Sequence, residues 1–409
     1  MNRSNSKPLL YLFIRFLTLG LRFLFIALFF RYSEALYGEF SLVATTVMLG
    51  VYVLGLDFYT YAGRELLKPG KTASHIFLHQ LLFYGFIYLI TLPLFYLVFK
   101  FDFLDKSYLL LFYLLLIGEH LSFEIHRLLF LLKKPLAANI NLFFRNGFWV
   151  IPLVFMFYAG YRIHIKTVLL FWVIGDILSL LPAGFLFGKK GIQSILHFRP
   201  DTRWIKKGIL ISIPFFLATL SFKVIEFSDR YFIDYFFDKK QVGIYSFFGN
   251  LSYLVNTVVY TAVISIQFPE LVEDILSGNK EAFKEKFVIF RKKIIYWTLL
   301  SAAGVLLVMP IVLNILGKRE HLQQYHVFVL LVLANVILNL SMIYHFVLYG
   351  FKKDKVLFLA AFTAMWINVG LNFIFIPAYG LTGAALTTLI AMLVIWLIKF
   401  ISARKILKE

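Results

Sequence analysis

The chain has 409 residues, of which 61% are hydrophobic, 19% aromatic and only 15% charged, where a soluble chain is roughly 45–50% apolar and about 25% charged. A mean hydropathy of +0.82 excludes a soluble globular enzyme and a disordered chain alike. The net charge is +19, and its distribution along the chain is more informative than its size.

Apolar runs of about 20 residues, long enough to cross the hydrocarbon core as helices, recur along the whole sequence. The predicted spans are 8–30, 39–63, 76–99, 107–132, 136–158 and 167–188, then 208–237, 242–269, 294–316, 325–349, 355–376 and 380–403. The first follows Arg3 and Lys7 as a signal peptide would. Arg15 and Arg22 interrupt it, however, and no small-residue cleavage site follows, so it reads as a spanning helix. The connection around 272–276 and 280–293 alternates acidic, basic and apolar positions and predicts a short surface helix. Asp102 and Asp105 sit beside Lys100 and Lys106 in a predicted solvated turn.

With a cytoplasmic N-terminus, the inner connections and tails hold about 25 Lys and Arg and the outer loops about 9. Cytoplasmic loops carry such an excess. The inner set includes Arg64, Lys68, Lys71, Lys133, Lys134, Lys189 and Lys190, and the alternation holds to the tail at Arg404. Both termini are therefore predicted to be cytoplasmic in a multi-pass inner (plasma) membrane protein. The basic charge matches anionic inner-leaflet lipid, and no nucleic-acid partner is expected.

The long middle connection divides the chain into halves, 1–200 and 201–409, each with six predicted helices. Tyr37-Gly38-Glu39-Phe40-Ser41 near the second span and Val242-Gly243-Ile244-Tyr245-Ser246 near the eighth share a Gly, an aromatic and a Ser in similar order. Two halves with a site between them is a transporter layout. The predicted fold is all-α, two pseudo-symmetric six-helix bundles around a central cavity.

Cysteine is absent, which removes disulfides and thiolate chemistry. No P-loop, zinc-ligand spacing or G-x-S-x-G occurs, so no enzyme activity, metal site or cofactor is expected.

A charge near mid-bilayer costs at least about 2.5–3.5 kcal/mol and needs a partner or a wet cavity. Arg15 and Arg22 are seven apart on the first span and share a face. On the seventh span Lys223, Glu226, Arg230 and Asp234 fall within a sector of roughly 80°, at about 100° per residue, while Asp229 points elsewhere. The fourth span carries Glu119, His120, Glu124, His126 and Arg127. The fifth carries Arg145, with Asn141 one turn before it, and Asp57 lies inside the second. Arg127 and Lys399, near inner ends, are expected to snorkel, and the two histidines to pack between helices. Arg15, Arg22, Arg145, Lys223 and Arg230 are the candidate anion-binding cations of one cavity. Asp57, Glu119, Glu124, Glu226 and Asp234 are the candidate ion-coupling or counter-ion acids.

Tyr37-Gly38-Glu39-Phe40, then Gly55-Leu56-Asp57 with Arg64, resembles the opening of bacterial polysaccharide-repeat-unit (O-antigen) flippases. So does Ser228-Asp229-Arg230-Tyr231-Phe232-Ile233 followed by Val242-Gly243-Ile244-Tyr245-Ser246. The ending, with Asn368, Asn372 and Ile376-Pro377-Ala378-Tyr379-Gly380-Leu381-Thr382-Gly383, continues the likeness over nearly the whole chain. The resemblance is to Wzx-type flippases of the multidrug/oligosaccharidyl-lipid/polysaccharide exporter superfamily. It implies alternating access and the movement of undecaprenyl-pyrophosphate-linked oligosaccharide from the inner to the outer leaflet. Membrane lipids, a polysaccharide polymerase and chain-length proteins are the implied partners. The alternatives are a drug or other lipid exporter of that superfamily, and a membrane-embedded polysaccharide polymerase or glycosyltransferase. Short outer loops nearly free of paired acids argue against the last.

Overall fold

In hydrocarbon every backbone N–H and C=O must be satisfied within its own segment or a closed sheet, and this chain solves that with helices. The computed structural model describes residues 6–66, 68, 73–184 and 199–408 and contains no strand among them. Arg3, Lys71, Lys189, Lys190 and the end of the sixth predicted span lie outside the described residues.

Among the described residues, eleven helices are long and apolar enough to cross a membrane. The last, Asp354–Lys408, runs through Gly380 at φ 57°, ψ −134°, a region open essentially to glycine alone. That kink divides it into the two spans expected from the sequence. Pro93, Pro214, Pro310 and Pro377 all lie inside helices. A proline removes one N–H donor, and membrane helices tolerate this where neighbours compensate.

Two spans depart from expectation. The second begins at Glu34, where Ser33 Oγ accepts from the Leu36 N–H at 3.3 Å, and it ends at Gly55. Leu56 and Asp57 follow in the left-handed region at φ 45° and 50°, and a new helix covers Tyr59–Leu66. Asp57 therefore occupies a helix break and not a helix interior. The break is compensated by packing: Phe58 stacks on Phe83 with centroids 4.3 Å apart, within a buried cluster that includes Tyr61, Ala62, Ile76 and Tyr84. The second departure is the expected surface helix. Its two parts are the ends of longer helices, Ser265–Ser277 and Lys280–Ile315. Gly278 separates them in the left-handed region, Asn279 Oδ1 caps the second at 3.1 Å, and Lys286 pairs with Asp274 at 2.8 Å.

The chain forms two compact units, Met1–Phe216 and Leu217–Glu409, and the boundary falls within the helix Thr202–Phe236. In the first unit, aromatic rings pack together: Phe25 contacts Phe29, Phe40 and Trp149 at centroid distances of 5.0–5.3 Å. In the second, one buried cluster joins Ile225 to Ala334, Ala364, Ala391 and Ile395, and another joins Phe290 and Ile294 to Ile343 and Val347. The small alanines let those helices approach closely, as membrane packing favours.

Candidate functional site

For brevity the helices of the first unit are α1 (Ser6–Tyr32), α2 (Glu34–Gly55), α3 (Tyr59–Leu66), α4 (Ala73–Lys100), α5 (Leu109–Leu131), α6 (Pro135–Phe143), α7 (Val150–Tyr158) and α8 (Ile165–Ser179). A π-helical turn, Phe144–Phe148, joins α6 to α7. Such turns often mark functional positions, and this one carries Arg145.

Arg145 is 4% exposed, as are few arginines anywhere. Its Nε lies 3.8 Å from Glu119 Oε2, and its guanidinium lies over the Phe123 ring at 4.6 Å. Glu119, on α5 and 1% exposed, accepts a hydrogen bond from Trp172 Nε1 at 2.7 Å. Trp172 stacks on Trp149 with centroids 5.9 Å apart. Asp176, one turn beyond Trp172 on α8, is equally buried. The sequence reading omitted Asp176, although any acid inside an apolar span asks for an explanation.

One turn along α5, Glu124 serves a different neighbourhood. It receives Arg127 Nη1 at 2.6 Å, Tyr84 Oη at 2.8 Å and Gln80 Nε2 at 3.2 Å. Arg127 also lies 3.5 Å over the Tyr59 ring. Its side chain is 22% exposed, so it is held by a counter-ion and an aromatic face and does not snorkel. His120 Nδ1 meets Tyr88 Oη at 2.6 Å, and His126 Nδ1 meets the Ala138 carbonyl at 3.0 Å, which are helix-packing contacts. Asn141 donates to the Ser179 carbonyl at 2.7 Å and to Ser122 Oγ at 3.1 Å, tying α5, α6 and α8 together.

Arg15 and Arg22 stand apart. Both are exposed on α1, and neither has a hydrogen-bond or ion-pair partner among the described residues. Thr18, between them in sequence, is buried and bonds back to the Ile14 carbonyl at 2.8 Å. Arg22 lies ten residues before the end of α1, about 15 Å along the axis at 1.5 Å per residue.

In the second unit the charged stripe of the seventh span is satisfied mostly at close range. Lys223 pairs with Glu226 at 2.6 Å, and Lys239, from the next helix, pairs with Asp234 at 2.5 Å. Arg230 donates from Nη1 to the Glu226 carbonyl at 2.9 Å and from Nε to Ser246 Oγ at 3.0 Å. Asp229, which does point away from this stripe, is buried in a neutral cluster. Its carboxylate accepts from Tyr245 Oη at 2.5 Å, Thr388 Oγ1 at 2.5 Å and Asn372 Nδ2 at 2.8 Å. Lys399 is only 5% exposed, so this lysine also fails to snorkel.

The spans and their buried polar groups define a multi-pass helical membrane protein. No protein-family model and no curated protein sequence matches the chain, but solved structures do. The chain resembles an inward-facing multidrug resistance MATE family transporter of the MOP superfamily, with a TM-score of 0.76 and 16% identity over 95% of this chain and 94% of that one. It also resembles the lipid II flippase MurJ, with a TM-score of 0.68 and 18% identity over 97% of this chain and 87% of that one. A third match is a MOP superfamily transporter from Pyrococcus furiosus described by the reverse polarity of its binding pocket, with a TM-score of 0.62 and 15% identity over 96% and 93%. These likenesses establish the fold: all-helical, of the kind found in MOP superfamily transporters.

Proposed function

We propose that the chain is a flippase that moves an anionic, lipid-linked oligosaccharide, an undecaprenyl-pyrophosphate-linked repeat unit, from the inner to the outer leaflet by alternating access. It would work in the inner membrane with both termini cytoplasmic, beside a polysaccharide polymerase and chain-length proteins. The fold is shared by drug transporters and a lipid II flippase, so the choice between them rests on the side chains. One observation carries it: Arg15 and Arg22 share a face of α1 and are exposed, with no hydrogen bond or ion pair to an acid among the described residues. Unpaired cations at membrane depth are costly unless a wet cavity or an anion meets them. A pyrophosphate supplies that anion, and Arg offers it bidentate donors. A cationic drug would be repelled there.

Arg145, Lys223 and Arg230 belong to this reading as cations already engaged by Glu119, Glu226 and Ser246, available only if those contacts exchange. Among the candidate acids, Glu124, Glu226 and Asp234 each hold a cation at 2.5–2.6 Å and act as counter-ions. Glu119, which meets Arg145 at 3.8 Å, and Asp57, in the helix break, are assigned to ion coupling.

Reconstituted vesicles containing the lipid-linked oligosaccharide test the proposal. Arg15→Ala and Arg22→Ala should insert at parental abundance and lose translocation, and Arg22→Lys should retain part of it if charge alone matters. Parental rates in both alanine variants would refute the cationic site. Faster export of a cationic drug by those variants would support the drug-exporter alternative.

A further inference from the structure

Two buried carboxylates in this chain have opposite surroundings. Asp229 accepts from three neutral donors. Asp176 accepts from no N–H or O–H donor at either oxygen, although it is 1% exposed. A second acid, Glu119, lies beside it with its carboxyl within hydrogen-bond reach. Two ionised carboxylates cannot hydrogen-bond to one another, because neither has a proton to give. That contact becomes a hydrogen bond only when one of them is protonated.

The charge count leads to the same place. Glu119 and Asp176 carry two potential negative charges, and one cation, Arg145, is buried with them. Arg145 does not finish the task, since its Nε and Nη1 make no hydrogen bond and its closest approach to Glu119 is 3.8 Å. The other charged groups in electrostatic reach are Arg22 on α1 and Arg127 on α5. Arg22 is exposed on α1 and is not buried with the acids, and Arg127 is held by Glu124 at 2.6 Å. A sealed site with two acids and one cation carries one uncompensated charge, and unpaired buried charge is expensive. Like charges sharing a site resolve this by sharing a proton. A metal cation would fit poorly, because Arg145 repels it and the oxygens here are far fewer than the six or more such ions prefer.

The site is built by the backbone as well. Gly118 precedes Glu119 in sequence, and a Cβ there would stand 3.0 Å from Asp176 Cβ and 3.3 Å from its Oδ2. A side chain there would have to push Asp176 away by a few tenths of an ångström, so the glycine favours the close approach of α5 and α8. Trp172, donating to the far oxygen of Glu119 at 2.7 Å, fixes the carboxyl with its other oxygen toward Arg145.

We infer that Glu119, Asp176 and Arg145 form a one-proton binding site inside the first unit, the proton shared between the two carboxyls and the remaining negative charge matched by Arg145. Opening α5 from α8 would hydrate the pair and let that proton leave. The inference does not depend on what the chain transports.

Infrared spectroscopy of the full-length chain in lipid tests this. At neutral pH in choline buffer, the unmodified protein should show a protonated-carboxyl band that shifts in D2O. Asp176→Asn and Glu119→Gln should each remove it, and Asp229→Asn should leave it. Labelling aspartate or glutamate carboxyls with 13C assigns the band in the unmodified protein, so the test survives if a variant fails to fold. Absence of the band overturns the site, as does its persistence in both variants. Its disappearance when sodium replaces choline would overturn it too, by showing a metal cation in place of the proton.

Discussion

Arg145 and Arg22 are both arginines inside apolar helices, and the structure gives them opposite roles in stability. Replacing Arg145 by Leu leaves Glu119 and Asp176 buried with no cation. Removing one member of a buried charge pair costs about 3–5 kcal/mol, roughly a hundred- to several-thousand-fold in the folding equilibrium. Arg22→Leu removes an exposed side chain with no partner and should stay within about 0.5 kcal/mol. A pH signature separates this from general damage. Without Arg145, only protons can neutralise the two acids, so the Arg145→Leu deficit should shrink in mildly acidic buffer and grow in mildly alkaline buffer. Heating purified protein in detergent and following the monodisperse fraction by size-exclusion fluorescence measures both variants at both pH values. An Arg145→Leu variant as stable as the parent at each pH would refute the role of Arg145 as counter-ion.

Two further outcomes are expected. Asp57→Asn keeps a residue that tolerates the left-handed region and removes the charge. The variant should therefore fold as the parent does, and a change in the pH or ion dependence of transport would assign Asp57 to coupling, while unchanged dependence would reduce it to a turn residue. Glu124→Gln should lower thermal stability by about 1–3 kcal/mol, the cost of losing a charged hydrogen-bond partner, and Glu124→Gln combined with Arg127→Met should recover much of that loss, as a double-mutant cycle would measure.

Hydropathy made the spans legible because the bilayer imposes length and composition on each of them, and even the final boundary was readable from Pro377 and Gly380. The break at Leu56–Asp57 was not. Neither residue is a strong breaker, and the compensating contact, Phe58 on Phe83, lies across 25 residues of sequence. Ionisable groups followed the same division. Pairs three apart on one helix, such as Glu124–Arg127 and Lys223–Glu226, can be read from helical spacing. The Arg145 partner cannot, because it comes from α5 while Asp176 comes from α8. Snorkelling of Arg127 and Lys399 was a reasonable expectation from depth alone, and it failed because local packing offered Arg127 a carboxylate and a tyrosine face.

The crowding of ionisable groups on α5 also constrains how the chain enters the membrane during synthesis. When α5 emerges, Glu124 already has its partners: Arg127 on the same helix, and Gln80 and Tyr84 on a segment made before it. Glu119 has neither its hydrogen-bond nor its ion-pair partner, since Trp172 and Arg145 are still to be made. Trp172 follows it by 53 residues, roughly 3–10 s of translation at about 5–20 residues per second. An unpaired acid in mid-helix raises the insertion cost by about 2.5–3.5 kcal/mol. α5 should therefore wait beside the insertion machinery until α6 to α8 arrive, and the first unit should enter the lipid as an assembled group of helices.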